Sequence, residues 1–415
     1  MSTPSSSSRS RAASGLAAGS VLSGLLAYVF FAASTRGLGA ADAAPVAVLW
    51  SYWGFAAAGL TFPVQHWITR TAAVAGEGAV RAAWATPLRL VTVVVVISGA
   101  GAWLLREPLF GGDARFAVLI ALVGVGAAGM GVVRGLLAAR RRYEAVGALL
   151  VAENLVRCVA ALVLVALDVD DPGAYGVALL LGYAACVGWV SAWRTEPGPG
   201  PALPIGDSRS TGSFLGGAAG AQVVAQAVLT GGPVLLAVLG GSPAEVTALF
   251  AALALYRAPY TVLLGQVAQA TGALARLVDA RSLDRLQRVD RAVLAATVVG
   301  VGVGAAVGAW LGPWLVTLVF GPDVRVEQGV SVALAVGSVL ALVTLVQGVV
   351  LLAHGVPQWT LAAWLLALVP AASVVLAAPG RPTTTIATAF VVAEGAAWLL
   401  LLAAARRARR VLRRA

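Results

Sequence analysis

Two ionisable residues stand one helical turn apart inside an apolar run, Glu153 and Arg157 in "VAENLVRCV". Acid first at i,i+4 is the favourable order for a pair on one helix face. Two readings are open: a self-neutralised pair that only lowers the cost of insertion, or a cavity-lining pair whose arginine is released to a substrate. Arg257, in "LYRAPYT", is a cation with no Asp or Glu within a turn. It either faces an anion in a cavity or pairs with an acid on another helix. Pro259, two residues on, has no N–H to donate, which predicts a kink there. Glu394 stands alone in its apolar run, placed to partner an arginine or to exchange a proton. Gln222 and Gln226 fall on one helix face. A charge at membrane depth costs roughly 2.5–3.5 kcal/mol for a central arginine on insertion scales, so each of these residues is a candidate for function.

Catalytic chemistry finds no such support. The two histidines, His66 and His354, lie on different runs and have no Cys, Asp or Glu at ligand spacing. Cys158 and Cys186 sit inside apolar runs, where a thiol is a small apolar filler. No glycine-rich phosphate loop precedes a helix, and the many glycines are spread through apolar runs where they permit close helix packing. The expectation is a protein that is not an enzyme, with no cofactor and no metal.

The elements that must position these residues are set by composition. Of 415 residues, 60% are hydrophobic and 11% charged, against roughly 25% charged in soluble domains. The apolar residues come in runs of about 20, the length of a membrane-crossing helix. Twelve such runs lie near 14–34, 45–67, 88–105, 116–138, 146–167, 174–193, 213–239, 246–271, 292–319, 329–352, 359–378 and 384–405. The ninth contains Pro313 in "LGPW" and is expected to kink or end early. The fold class is an all-α, polytopic integral membrane protein of twelve transmembrane helices.

The net charge is +11, and all 29 basic residues are arginine. They cluster between the runs, so they report topology and not a nucleic-acid face. One set of alternate segments holds 22 of them, from Arg9 and Arg11 through Arg70, Arg134 and Arg140–Arg142 to the tail "RRARRVLRR". The other set holds 5: Arg36, Arg106, Arg115, Arg325 and Arg381. This asymmetry places both termini in the cytoplasm.

The phrase F-G-x-D-x-R occurs in "LFGGDAR" (109–115) and again in "VFGPDVR" (319–325), each after a run carrying "GAW". Further on, "RGLLAA" (134–139) parallels "QGVVLL" (347–352). Upstream, "GAADAAPVAVLW" (39–50) parallels "GSPAEVTALF" (241–250), and the runs that follow carry Pro63 and Pro259. Four markers in one order mean duplication: two six-helix lobes related by a parallel internal repeat. The repeated phrase is then a helix-exit turn and not a site used twice. The organisation expected is a disordered cytoplasmic tail (1–13), an N-lobe (14–193), a Pro/Gly-rich cytoplasmic linker (194–212), a C-lobe (213–405) and a basic cytoplasmic tail (406–415).

In these features the full chain resembles the oligosaccharide (Wzx-type) flippases of the multidrug/oligosaccharidyl-lipid/polysaccharide (MOP) exporter superfamily. The resemblance is carried by the opening "GSVLSGLLAYVFFAASTRGLGAAD", the stretch from Pro63 to Arg70, "FGGD" after the third run and "ARRRYEA" after the fourth. It implies a polyprenyl-pyrophosphate-linked glycan as substrate, flipped across the bacterial cytoplasmic membrane by alternating access. It also implies a cationic cavity between the lobes, and membrane lipids, a glycan polymerase and glycosyltransferases as partners, with no nucleic acid. Arg36 and Arg70, which read from sequence alone as snorkelling interfacial arginines, match positions where lipid-linked-precursor flippases carry cavity arginines. A drug or toxin exporter of the same superfamily, which would favour acids in its cavity, is the first alternative. A peptidoglycan-precursor flippase and a membrane-embedded glycan enzyme follow.

Overall fold

The computed structural model describes residues 6–194, 220–264, 283–354, 356–377 and 380–414, with four further positions between 274 and 280. Among the described residues every regular element is a helix. Ten helices are long and apolar enough to cross a membrane. Spans 1 to 6 are Val21–Asp42, Ala44–Ala72, Pro87–Leu104, Arg115–Ala139, Tyr143–Ala166 and Pro172–Trp193. Spans 9 to 12 are Asp284–Phe320, Gln328–Leu351, Gln358–Ala377 and Pro382–Arg410. Span 7 is a bent pair, Gly220–Thr230 and Gly232–Val238, broken by 63°. Span 8 starts as the shorter apolar helix Pro243–Tyr256. Among the described residues, ten of the twelve apolar runs thus coincide with a spanning helix, the seventh with the bent pair and the eighth with the shorter helix. The linker beyond Arg194, the first residues of the seventh run and the last of the eighth lie outside the described residues.

The breaks follow from backbone chemistry. The first helix is Ser6–Asp42, so it begins inside the stretch read as a disordered tail, and its geometry is interrupted at Gly39 (φ 79°, ψ 170°). Span 8 breaks at Arg257 (φ −85°, ψ 3°) and resumes as Ala258–Leu264, as Pro259 predicts. Span 9 does not end at Pro313. A π-turn at Val307–Leu311 precedes it, and the helix runs on as Gly312–Phe320. The second copy of the repeat carries three more residues between "GAW" and the F-G-x-D-x-R phrase than the first. The longer helix holds those residues where span 3 instead stops at Leu104 and restarts as Arg106–Phe110. The basic tail continues the last helix to Arg414.

The chain divides into two compact units, Met1–Leu38 with Asp42–Val223 and Gly39–Ala41 with Val224–Ala415. In the first unit, span 4 presses against span 2 through glycines. A Cβ on Gly131 would stand 2.7 Å from the Thr61 carbonyl oxygen, and one on Gly135 would stand 2.9 Å from Ile68 Cβ. Thr61 donates its hydroxyl across the gap to the Ala127 carbonyl at 2.9 Å. A buried cluster of Val64, Trp67, Ile68, Val132 and Leu136 fills the same interface. In the second unit, span 10 packs on spans 9 and 12. Tyr256 of span 8 and Ser331 of span 10 share a 2.5 Å hydrogen bond, and Ser331 donates to the Gly308 carbonyl of span 9. Asp290 of span 9 and Arg409 of span 12 form an ion pair near the basic ends of their helices.

The repeated phrase is used differently in its two copies. In the first, Arg115 holds Asp113 at 2.8 Å and Asp171 at 2.7 Å, joining the turn after span 3 to the start of span 6. Asp171 also accepts from the Gly173 N–H, capping span 6. The Arg115 guanidinium holds both carboxyls below the usual carboxylate range. In the second copy, Arg325 donates only to the nearby Pro322 carbonyl. The first turn is a latch between two helix ends.

Candidate functional site

Span 5 carries Glu153 and Arg157 into the core of the first unit. Both are buried, Arg157 completely. Arg157 Nη2 meets Glu153 Oε1 at 2.5 Å, and its Nε donates to the Leu179 carbonyl of span 6 at 2.8 Å. Its guanidinium also lies over the rings of Trp53 (4.7 Å) and Tyr183 (5.2 Å). Gly182 makes the room: a Cβ there would stand 2.3 Å from Arg157 Nε. Of the two sequence readings, the geometry matches the self-neutralised pair. An arginine held by a carboxylate, a carbonyl and two rings is part of the helix packing, and here it lines no open surface.

The other expected site residues are placed as follows. Arg36 and Arg70 are exposed on spans 1 and 2. Arg257 sits half-buried at the break in span 8, over the Phe250 ring at 5.5 Å. Gln222 and Gln226 are half-buried on span 7, and Gln226 Nε2 donates to Thr230 at 3.3 Å. Glu394 is buried in span 12 and accepts from the Thr344 hydroxyl of span 10 at 3.1 Å. The expected arginine partner of Glu394 is absent among the described residues, because the helix facing it offers a threonine. Thr344 is 50 residues away in sequence, and no local pattern signals the contact.

Arg134 groups with the loop arginines in the sequence reading, yet it is a residue of the span. It lies inside span 4, five residues before the helix ends. Its guanidinium covers the Phe62 ring of span 2 at 5.2 Å. Its Nε is buried without a hydrogen-bond partner, as is Oε1 of Gln65 on span 2. The sequence signal was its position within "MGVVRGLLAA", before the apolar run gives out.

No protein-family model matches the sequence, and no curated protein is significantly similar to it. Solved structures are similar in fold. An inward-facing multidrug resistance MATE family transporter of the MOP superfamily superposes with a TM-score of 0.70 at 16% identity, covering 94% of this chain and 96% of that one. The fold is similar to that of this transporter. An outward-facing MATE transporter of the superfamily gives 0.63 at 16% identity, over 97% and 96% of the two chains. A MOP superfamily transporter from Pyrococcus furiosus, described as having a binding pocket of reverse polarity, gives 0.61 at 15% identity over 97% and 96%. The all-helical, twelve-span reading therefore stands, and these likenesses carry the fold.

Proposed function

We propose that this chain is a transporter that flips a polyprenyl-pyrophosphate-linked oligosaccharide across the bacterial cytoplasmic membrane by alternating access, for assembly of cell-surface polysaccharide. The observation that carries the reading is the sign of the charge that the spans leave exposed. The acids deep in the spans, Glu153 and Glu394, are buried with partners of their own. Arg36 and Arg70 are exposed, and Arg257 is half-buried at a helix break. A pyrophosphate is the kind of cargo such arginines bind, since a guanidinium offers a planar fork of donors matched to phosphate oxygens. The lipid tail stays in the bilayer while the charged head crosses, and the two lobes rock to change access. The arginine asymmetry between alternate loops supports cytoplasmic termini. A polymerase and glycosyltransferases acting on the same glycan are the partners this cargo implies.

A second reading, a multidrug exporter, is favoured by the likeness to multidrug resistance MATE transporters. The charge separates the two, because organic cations call for open carboxylates in the cavity. Arg36→Ala and Arg70→Ala, each introduced into a cell that depends on this chain, are expected to lower surface glycan by about tenfold or more, the worth of one lost charge-assisted contact. Normal glycan with a correctly inserted variant removes that arginine from the substrate path.

A further inference from the structure

We infer that Arg134, with Gln65 beside it, is a contact for the pyrophosphate group of the cargo on the first unit. The inference rests on the flippase reading and adds a residue to it. Three observations lead there. Arg134 is a cation within a membrane span, and among the described residues it makes no hydrogen bond or ion pair. Its Nε is buried and unsatisfied. Leaving a buried charged donor unpaired is costly, and such residues in spans mark substrate paths. The Glu153 carboxylate, whose charge reaches Arg134, is already held by Arg157 at 2.5 Å.

The position of Arg134 is fixed by packing. Gly131 and Gly135 flank it on span 4 and hold that helix against span 2. Thr61 to Ala127 closes the contact on one side, and Thr69 to the Gly135 carbonyl, at 3.4 Å, closes it on the other. This places the flat face of the guanidinium on Phe62. Stacking occupies a face and leaves the in-plane N–H donors for an acceptor. Gln65 lies alongside, its Cα 3.2 Å from where a Cβ on Gly135 would stand. Its side-chain amide also has a bare buried atom, and an amide can present either its oxygen or its NH2 group to a ligand. Phe62, His66 and Arg70 recur every four residues along span 2 and so share one helix face. His66 is close enough for its charge to feel Arg134, and both His66 and Arg70 are exposed. A diphosphate at Arg134 would therefore lie beside the helix face that carries Arg70. A π-turn at Ala57–Thr61 immediately precedes Phe62; such turns recur at functional sites.

The test uses the full chain in lipid nanodiscs and titrates a short-chain polyprenyl pyrophosphate, the matching polyprenol and inorganic pyrophosphate, with binding read by calorimetry. Wild type is expected to bind the lipid pyrophosphate and to lose it in competition with inorganic pyrophosphate, while the polyprenol binds at least about tenfold more weakly. Arg134→Gln should weaken pyrophosphate binding by about tenfold or more, and Arg134→Lys, which keeps the charge but not the fork, by less. Arg288→Gln, an exposed arginine of the second unit, should leave it unchanged. Melting temperature is recorded for each variant. Wild-type affinity in a folded Arg134→Gln protein overturns the inference, as does equal binding of polyprenol and its pyrophosphate. If Arg134→Gln does not fold, Arg134→Lys decides on the same scale. Translocation of a lipid-linked glycan is scored separately, so the flippase reading and this contact can fail independently.

Discussion

Arg157→Leu is expected to destabilise the first unit by about 3–5 kcal/mol, the cost of leaving one member of a buried ion pair without the other. Glu153 would remain in a site where it is only 3% exposed. The Leu179 carbonyl and the Trp53 and Tyr183 rings would lose their shared partner. The double variant Glu153→Leu/Arg157→Leu should recover most of the loss, because the desolvation cost of both charges goes with the pair. Thermal denaturation in detergent, followed by size-exclusion fluorescence, ranks wild type, single and double variants. If the single variant is as stable as wild type, the pair does not serve packing and the cavity-lining reading of Arg157 returns. If the double variant is as unstable as the single, the bonds to Leu179 and the rings outweigh the charge pairing.

Gly131→Ala is expected to cost about 1–3 kcal/mol, the usual range for overpacking a tight contact. Helix propensity alone argues the opposite, since alanine is favoured over glycine by about 0.8–1 kcal/mol. Geometry decides the sign. The added methyl would meet the Thr61 carbonyl at 2.7 Å and Thr61 Cα at 3.1 Å. Backbone atoms have no rotamer by which to move aside, so span 4 must shift from span 2. Gly129→Ala is the control two residues away, where the nearest atom would be a Trp193 ring carbon at 3.8 Å. It should be neutral or slightly stabilising in the same melts. Gly131→Ala should also weaken pyrophosphate binding, because the shift takes Arg134 off Phe62. Equal melting temperatures for the two variants would mean that spans 2 and 4 do not meet as described.

Much of the fold was legible in the sequence because its causes are local. Runs of about 20 apolar residues must be helices in a bilayer, where every backbone polar group has to be satisfied within the segment. Pro259 signalled the break at Arg257, and the i,i+4 spacing signalled the Glu153–Arg157 pair. What was not legible depends on which helices meet. Thr344 as the partner of Glu394, and Asp171 as the second partner of Arg115, are contacts across 50 and 56 residues. Pro313 signals a kink or an early end, and no clear composition signal distinguishes these from the π-turn through which the helix runs on. Arg134 was hidden by the arginines at 140–142, which mark the end of the span so strongly that a charge six residues earlier reads as part of the loop. Only the stacking on Phe62 and the bare Nε reveal that it is held inside the packing.

Transport of a lipid-linked glycan is measured with purified wild-type chain in proteoliposomes. A polyprenyl-pyrophosphate oligosaccharide is loaded in the outer leaflet, and its removal from a membrane-impermeant glycosidase is followed with time. Protein-dependent protection of the glycan, blocked by inorganic pyrophosphate, is the result predicted here. No protection, with uptake of an organic cation by the same vesicles, would contradict it and make the chain a multidrug exporter.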